Sequence, residues 1–117
     1  LLTEAFQLLA DSVASYEDID KAVTDGLGFR WSLMGPFESI HLNAPLGVAQ
    51  YIERYGPMYR KMFSNTGDKT DWSLALEKGL EESLVKKHPI SNLDKSCKDR
   101  DQKMMLSLVQ KQKGRLN

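Results

Sequence analysis

Gly26-Leu27-Gly28-Phe29-Arg30-Trp31-Ser32-Leu33-Met34-Gly35-Pro36-Phe37-Glu38-Ser39-Ile40-His41-Leu42-Asn43 is the stretch whose reading decides the fold. Pro36 suits the first position of a helix, where its missing N–H costs nothing. Glu38 then lies in the first turn, at the positive end of the helix dipole. On the other side, Gly26 is placed to end the preceding helix in a left-handed conformation. That leaves Leu27 to Met34 as a loop of about eight residues, long for a helix-to-helix connection in a compact bundle. Long connections rich in aromatic side chains carry function more often than short polar ones.

Working toward the N-terminus, Leu1, Leu2, Ala5, Phe6, Leu8, Leu9 and Val13 recur at helical spacing. Ser15 reads as an N-cap, with Asp18 three residues on as the acid of a capping box. The helix it opens carries Tyr16, Ile19, Ala22 and Val23. The chain starts in mid-helix, with neither an initiator Met nor a capping residue ahead of the apolar pattern. Its first residues also lack the basic start of a signal peptide. It is therefore expected to be an excised piece of a longer protein.

Toward the C-terminus, a short helix is expected from Pro36 to about Asn43. Pro45 can open the next, with Val48, Ile52 and Tyr55 on one face and Tyr51 beside them. Gly56-Pro57 should interrupt that helix, with Met58 to Asn65 resuming after a kink and Asn65-Thr66-Gly67-Asp68 as the exit. A further helix is expected from Thr70 or Asp71 to Pro89, its stripe built on Trp72, Leu76, Leu80 and Leu84. Ser91 or Asn92 can cap the last helix, which fades into a solvated Lys113-Gly114-Arg115-Leu116-Asn117. No stretch alternates like a strand. The expected fold is all-α, five to seven helices in a single domain over residues 1–117.

Composition narrows the function. The 117 residues are 41% hydrophobic and 27% charged, and sixteen basic residues balance sixteen acidic ones. That balance offers no electrostatic case for nucleic acid or an anionic membrane. No apolar run approaches the roughly 20 residues a membrane helix needs. The single cysteine, Cys97, precludes an internal disulfide and fits a reducing, cytoplasmic compartment.

The chemistry-bearing residues are few. His41 and His88 lack the spacing of a zinc site, so no metal is expected. Cys97 stands among Lys95, Lys98 and Arg100 yet falls on the apolar face of its helix, where packing is the expected role. Gly26-Leu27-Gly28 follows a helix rather than a strand, so it is no dinucleotide fingerprint. Glu38 and His41, three apart, can share a helix face and work as a proton-transfer pair; the plainer reading is a first-turn acid beside a surface histidine. Arg30, between Phe29 and Trp31, can hold a carboxylate bidentately between apolar walls; the plainer reading is a guanidinium stacked on Trp31. Met58, Met62, Met104 and Met105 read as core or subunit interface.

Several motifs follow one another in a familiar order: Glu4-Ala5 with Leu8, Asp18-Ile19-Asp20-Lys21-Ala22-Val23, Gly26-Leu27-Gly28, and Gly35-Pro36-Phe37-Glu38. Together they resemble the C-terminal helical domain of the 3-hydroxyacyl-CoA dehydrogenase superfamily. The longer form from Gly28 to Asn43, Glu53-Arg54-Tyr55 and the basic last helix look closer to the λ-crystallin and L-gulonate 3-dehydrogenase subgroup. The resemblance covers most of the chain and loosens beyond about Lys69. It implies an all-α domain like the C-terminal domain of 6-phosphogluconate dehydrogenase, from an NAD-dependent enzyme that oxidises a 3-hydroxy acid or its CoA thioester. In that family NAD and the catalytic His-Glu pair belong to an upstream Rossmann domain, and an Asn-Arg at the start of the first C-terminal helix completes the site. All would precede Leu1, so neither a catalytic residue nor a bound cofactor is expected in this chain. The helical domain covers the substrate and forms a homodimer interface.

One departure bears on substrate. The acyl-CoA members have a shorter segment before Gly-Pro-Phe-Glu and an acid where His41 stands. Relatives with an Arg-aromatic pair like Arg30-Trp31 act on substrates with a free carboxylate. Arg30 is therefore expected to bind a substrate carboxylate, with Trp31 and His41 lining the same pocket. Two other readings remain open: a 3-hydroxyacyl-CoA dehydrogenase of fatty acid oxidation, and a non-catalytic, crystallin-like homologue.

Overall fold

The computed structural model describes residues 1–67 and 70–116. Asp68, in the expected helix exit, and Asn117, in the expected tail, lie outside the described residues. Among the described residues every regular element is helical, with seven helices if the run across Gly26 is counted as one. The chain divides into two compact units, Leu1–Met34 and Gly35–Asn117.

In the N-terminal unit, α1 (Leu2–Ala10) has no side-chain cap at its start. It ends on Ser12 at φ 56, with Ser12 N–H donating to the Leu9 carbonyl and Val13 N–H to that of Leu8. This paired closure usually takes glycine, here replaced by serine. Ser15 caps α2 (Tyr16–Ala22) as the sequence suggests, its Oγ accepting the Asp18 N–H at 3.1 Å. The loop expected after Gly26 is mostly helix instead. A π-type turn, Val23–Leu27, leads into α3 (Gly28–Trp31), and Gly26 kinks rather than caps, at φ −111 and ψ −105. The Gly28 N–H reaches back to the Val23 carbonyl, so the extra residue is absorbed by a wider ring of backbone hydrogen bonds and winding continues. The same closeness explains Gly28: a Cβ there would lie 2.9 Å from the Val23 oxygen.

The C-terminal unit begins as expected, with Gly35 as N-cap and Pro36 opening α4 (Pro36–Leu42). The next helix, α5 (Val48–Met62), starts three residues later than Pro45 suggests. Gly47 stands immediately before it at φ +86, packed so closely on the His41 ring that a Cβ would come within 2.7 Å of Cε1. Pro57 fails to break α5, which runs through it to Met62. Gly56 has no Cβ to meet the pyrrolidine ring, which relieves the usual clash at the residue before proline, and Pro57 itself faces solvent.

The long helix expected after Asp71 is two helices, α6 (Leu74–Glu77) and α7 (Leu80–Lys87), separated by Gly79 at φ +81. The apolar stripe survives the break. Val48, Ile52 and Leu84 form the buried core, with Ile40, Trp72, Leu76 and Leu80 packed against it. Tyr59 stacks on Trp72 with ring centroids 4.7 Å apart, and Tyr51 stacks on it at 6.4 Å. A single 3-10 turn, Ile90–Asn92, leads into α8 (Leu93–Leu116). That helix keeps winding through Gly114, where a frayed tail was expected. Leu93 is buried at its start.

Candidate functional site

Arg30 lies in the last turn of α3, exposed to solvent. Among the described residues its guanidinium makes no hydrogen bond, ion pair or ring contact, so the expected stacking on Trp31 is not formed. Trp31 is 46% exposed beside it. The kink at Gly26 and the helical turn after it set these two side chains at a helix end, where a loop was expected. A free guanidinium next to a large apolar ring is equipped to grip a carboxylate on an otherwise apolar molecule.

His41 belongs to the other compact unit and has a different situation. Its ring is 0% exposed. Nδ1 accepts the Val48 N–H at 3.0 Å, so it carries no proton, and Nε2–H donates to the His88 carbonyl at 2.9 Å. The imidazole is thus a neutral ring whose nitrogens are both engaged within the fold. It satisfies one of the N–H groups that the first turn of α5 leaves open, and it secures the end of α7. It has no polar atom left for a ligand.

Glu38 pairs with a histidine, but not with His41. His88 Nε2–H donates to Glu38 Oε1 at 2.6 Å, and Lys87 Nζ reaches the same oxygen at 3.0 Å. Ser96 Oγ lies 3.0 Å from His88 Nδ1. Burial by itself pushes the Glu38 carboxyl up, but hydrogen bonds and charge from His88 and Lys87 outweigh it and hold the group below its ordinary value. The cluster joins α4, α7 and α8, which makes it a polar tie within the unit. His88 is a residue that local pattern does not find, because Glu38 and His88 are fifty positions apart in the chain. Cys97 donates its thiol to the Leu42 carbonyl at 3.3 Å, the packing role its helix face suggests.

A shallow hollow of about 160 Å³ is lined by Tyr59, Arg60, Phe63, Thr70 and Trp72. Among the described residues no group of His, Cys, Asp or Glu is arranged to hold a metal ion, and no helix is long and apolar enough to cross a membrane.

An all-α domain with a Gly-x-Gly kink, a Gly-Pro helix start and no strand among its described residues has the form of an accessory helical domain. Residues 1–87 match the family described as 3-hydroxyacyl-CoA dehydrogenase, C-terminal domain, and the chain belongs to that family. It is 35% identical over 89 residues to a λ-crystallin homolog of Mus musculus, covering 76% of this chain and 28% of that protein. It is 35% identical over 114 residues to a 3-hydroxyacyl-CoA dehydrogenase of Gibberella moniliformis, covering 94% of this chain and 35% of that protein. An L-carnitine dehydrogenase of Oceanobacillus iheyensis is 43% identical over 58 residues, 49% of this chain and 19% of that protein. The chain thus spans about a third or less of the curated relatives it matches. No solved structure matches.

Proposed function

We propose that the chain is the substrate-binding and dimerisation domain of an NAD-dependent dehydrogenase whose substrate is a 3-hydroxy acid with a free carboxylate. The exposed guanidinium of Arg30, which has no partner among the described residues and stands beside the half-exposed Trp31, carries this reading. Similarity to an L-carnitine dehydrogenase supports it, since carnitine is a carboxylate. In the reading, Arg30 holds the carboxylate and Trp31 supplies an apolar wall.

The residues present do not fit NAD. Gly26-Leu27-Gly28 is a kink between helices, and the strand that would precede a phosphate-cradling turn is missing among the described residues. The reading therefore places NAD, and the hydride transfer it supplies, on a Rossmann domain of the full-length protein, which would be cytoplasmic. This chain's contribution is to position the substrate.

Arg30→Ala in the full-length enzyme tests the reading. Loss of a charged hydrogen bond worth about 1.5–3 kcal/mol raises KM for a free hydroxy acid about tenfold or more with kcat little changed. A KM within about twofold of wild type, about 0.4 kcal/mol, rejects it. The similarity to a 3-hydroxyacyl-CoA dehydrogenase across 94% of the chain favours a second reading, a CoA thioester substrate; NADH absorbance with each substrate class separates the two. The λ-crystallin likeness supports a third, a non-catalytic role, which NADH formation with either class would exclude.

A further inference from the structure

The wide turn at Val23–Leu27 decides which side of its helix Arg30 occupies. Between Tyr16 and Asp25 only Ile19 and Val23 are half-buried, and they stand four apart on one side. At about 100° per residue, an α-helix continuing from them would carry Leu27 and Arg30 on that same side. The chain takes another course. The Gly28 N–H reaches five residues back to the Val23 carbonyl, so Gly28 rather than Leu27 stands one turn above Val23. Within α3, Arg30 follows two residues later, about 200° round the helix from that line. It is exposed accordingly, while Phe29 before it is half-buried.

We infer that Gly28 is the positioning residue for the carboxylate grip: it holds the wide turn that aims Arg30 at solvent. The physical reason is the close approach of the two backbones. A Cβ on Gly28 would lie 2.9 Å from the Val23 carbonyl oxygen and 3.5 Å from Val23 Cγ1. The nearer atom is backbone, which cannot swing aside as a side-chain tip does. Any side chain at Gly28 therefore lengthens or breaks the hydrogen bond that closes the turn. The ordinary closure, from the Gly28 N–H to the carbonyl four residues back, brings Arg30 round toward the line of Ile19 and Val23. Gly28 thus acts through Arg30 without touching a ligand itself. This deepens the carboxylate reading and rests on it, while the register of the turn is independent of any substrate.

Two measurements test it. The first reads the register directly, in the chain carrying Cys97→Ser and Arg30→Cys. The thiol so placed should be alkylated readily by iodoacetamide, and adding Gly28→Ala should slow that about fivefold or more with helix content unchanged. The second reads function, in the full-length enzyme. Gly28→Ala should raise KM for a free hydroxy acid about tenfold with kcat little changed. Combined with Arg30→Ala it should go no more than about twofold beyond either change alone, since both remove one grip. Gly35→Ala, whose Cβ would meet nothing within 4 Å, should leave KM unchanged. Effects that add to about a hundredfold overturn the inference, and so does a Gly28→Ala chain that loses its helix signal. Unslowed alkylation, with KM still raised by Arg30→Ala, overturns the role of Gly28 and leaves the carboxylate reading standing. A silent Arg30→Ala with slowed alkylation overturns the carboxylate reading and leaves only the register.

Discussion

His41 shows how far a single side chain reaches in this molecule. Its neutral ring fills the space that Gly47 leaves open, fixes the start of α5 and ties down the end of α7. Gly47→Ala must both hold alanine at φ +86 and drive its Cβ to 2.7 Å from that ring, so a loss of about 2 kcal/mol or more is expected from strain and overpacking. Chemical denaturation measures it. At Glu38 the prediction concerns pH. Its carboxyl is held below the ordinary 4.5 in the fold, so the fold binds fewer protons there than the unfolded chain does. Its stabilising effect is complete above the unfolded value and disappears as pH falls through the folded one. The melting temperature should therefore drop between about pH 5 and pH 3, and Glu38→Gln should remove that part of the drop. The sequence offers Glu38 at a helix start but nothing that names His88 as its partner, because the pairing exists only once α4 and α7 are packed.

Among the elements, the helix starts at Ser15 and Pro36 were legible and the helix breaks were not. Ser15 and Pro36 act through atoms within three residues of themselves, so local reading suffices for them. Gly26, Pro57 and Gly79 are judged by what lies on either side. Gly26 was expected to stop a helix and kinks it; Gly56-Pro57 was expected to interrupt α5 and does not; Gly79 divides a stretch that reads as one helix. Proline within α5 still removes a hydrogen bond, a deficit that costs about 3 kcal/mol in a helix interior. Pro57→Ala is expected to raise stability by about 1–3 kcal/mol, seen as a higher denaturation midpoint with unchanged slope. No change would mean that the turn before Pro57 has relaxed into a geometry that no longer feels the loss.

On the scale of the whole molecule, the core is concentrated between Leu42 and Leu93, and none of the described residues before Gly35 is fully buried. Burial of apolar area sets local stability. Amide hydrogen exchange is accordingly expected to run faster in α1 and α2 than around Val48 and Ile52, with the N-terminal unit opening before the global transition; equal protection in both would contradict it. Ile52→Ala, in the core, should cost about 2–5 kcal/mol. The sequence by itself determined that this chain is all-helical, that helices start at Ser15 and Pro36, and which family it belongs to, because periodicity, capping residues and the order of short motifs are properties of neighbours along the chain. It also marked Arg30 for attention, since an arginine between two aromatics is conspicuous in one dimension. Only the tertiary structure decided that His41 is sealed inside while Arg30 stays exposed, that Glu38 answers to His88, and that Met105, Leu106, Leu108 and Val109 of α8 keep much of their apolar surface in solvent. Each of those depends on residues distant in sequence meeting, or failing to meet, in space, and the period of a single helix carries no record of which other helix it will face.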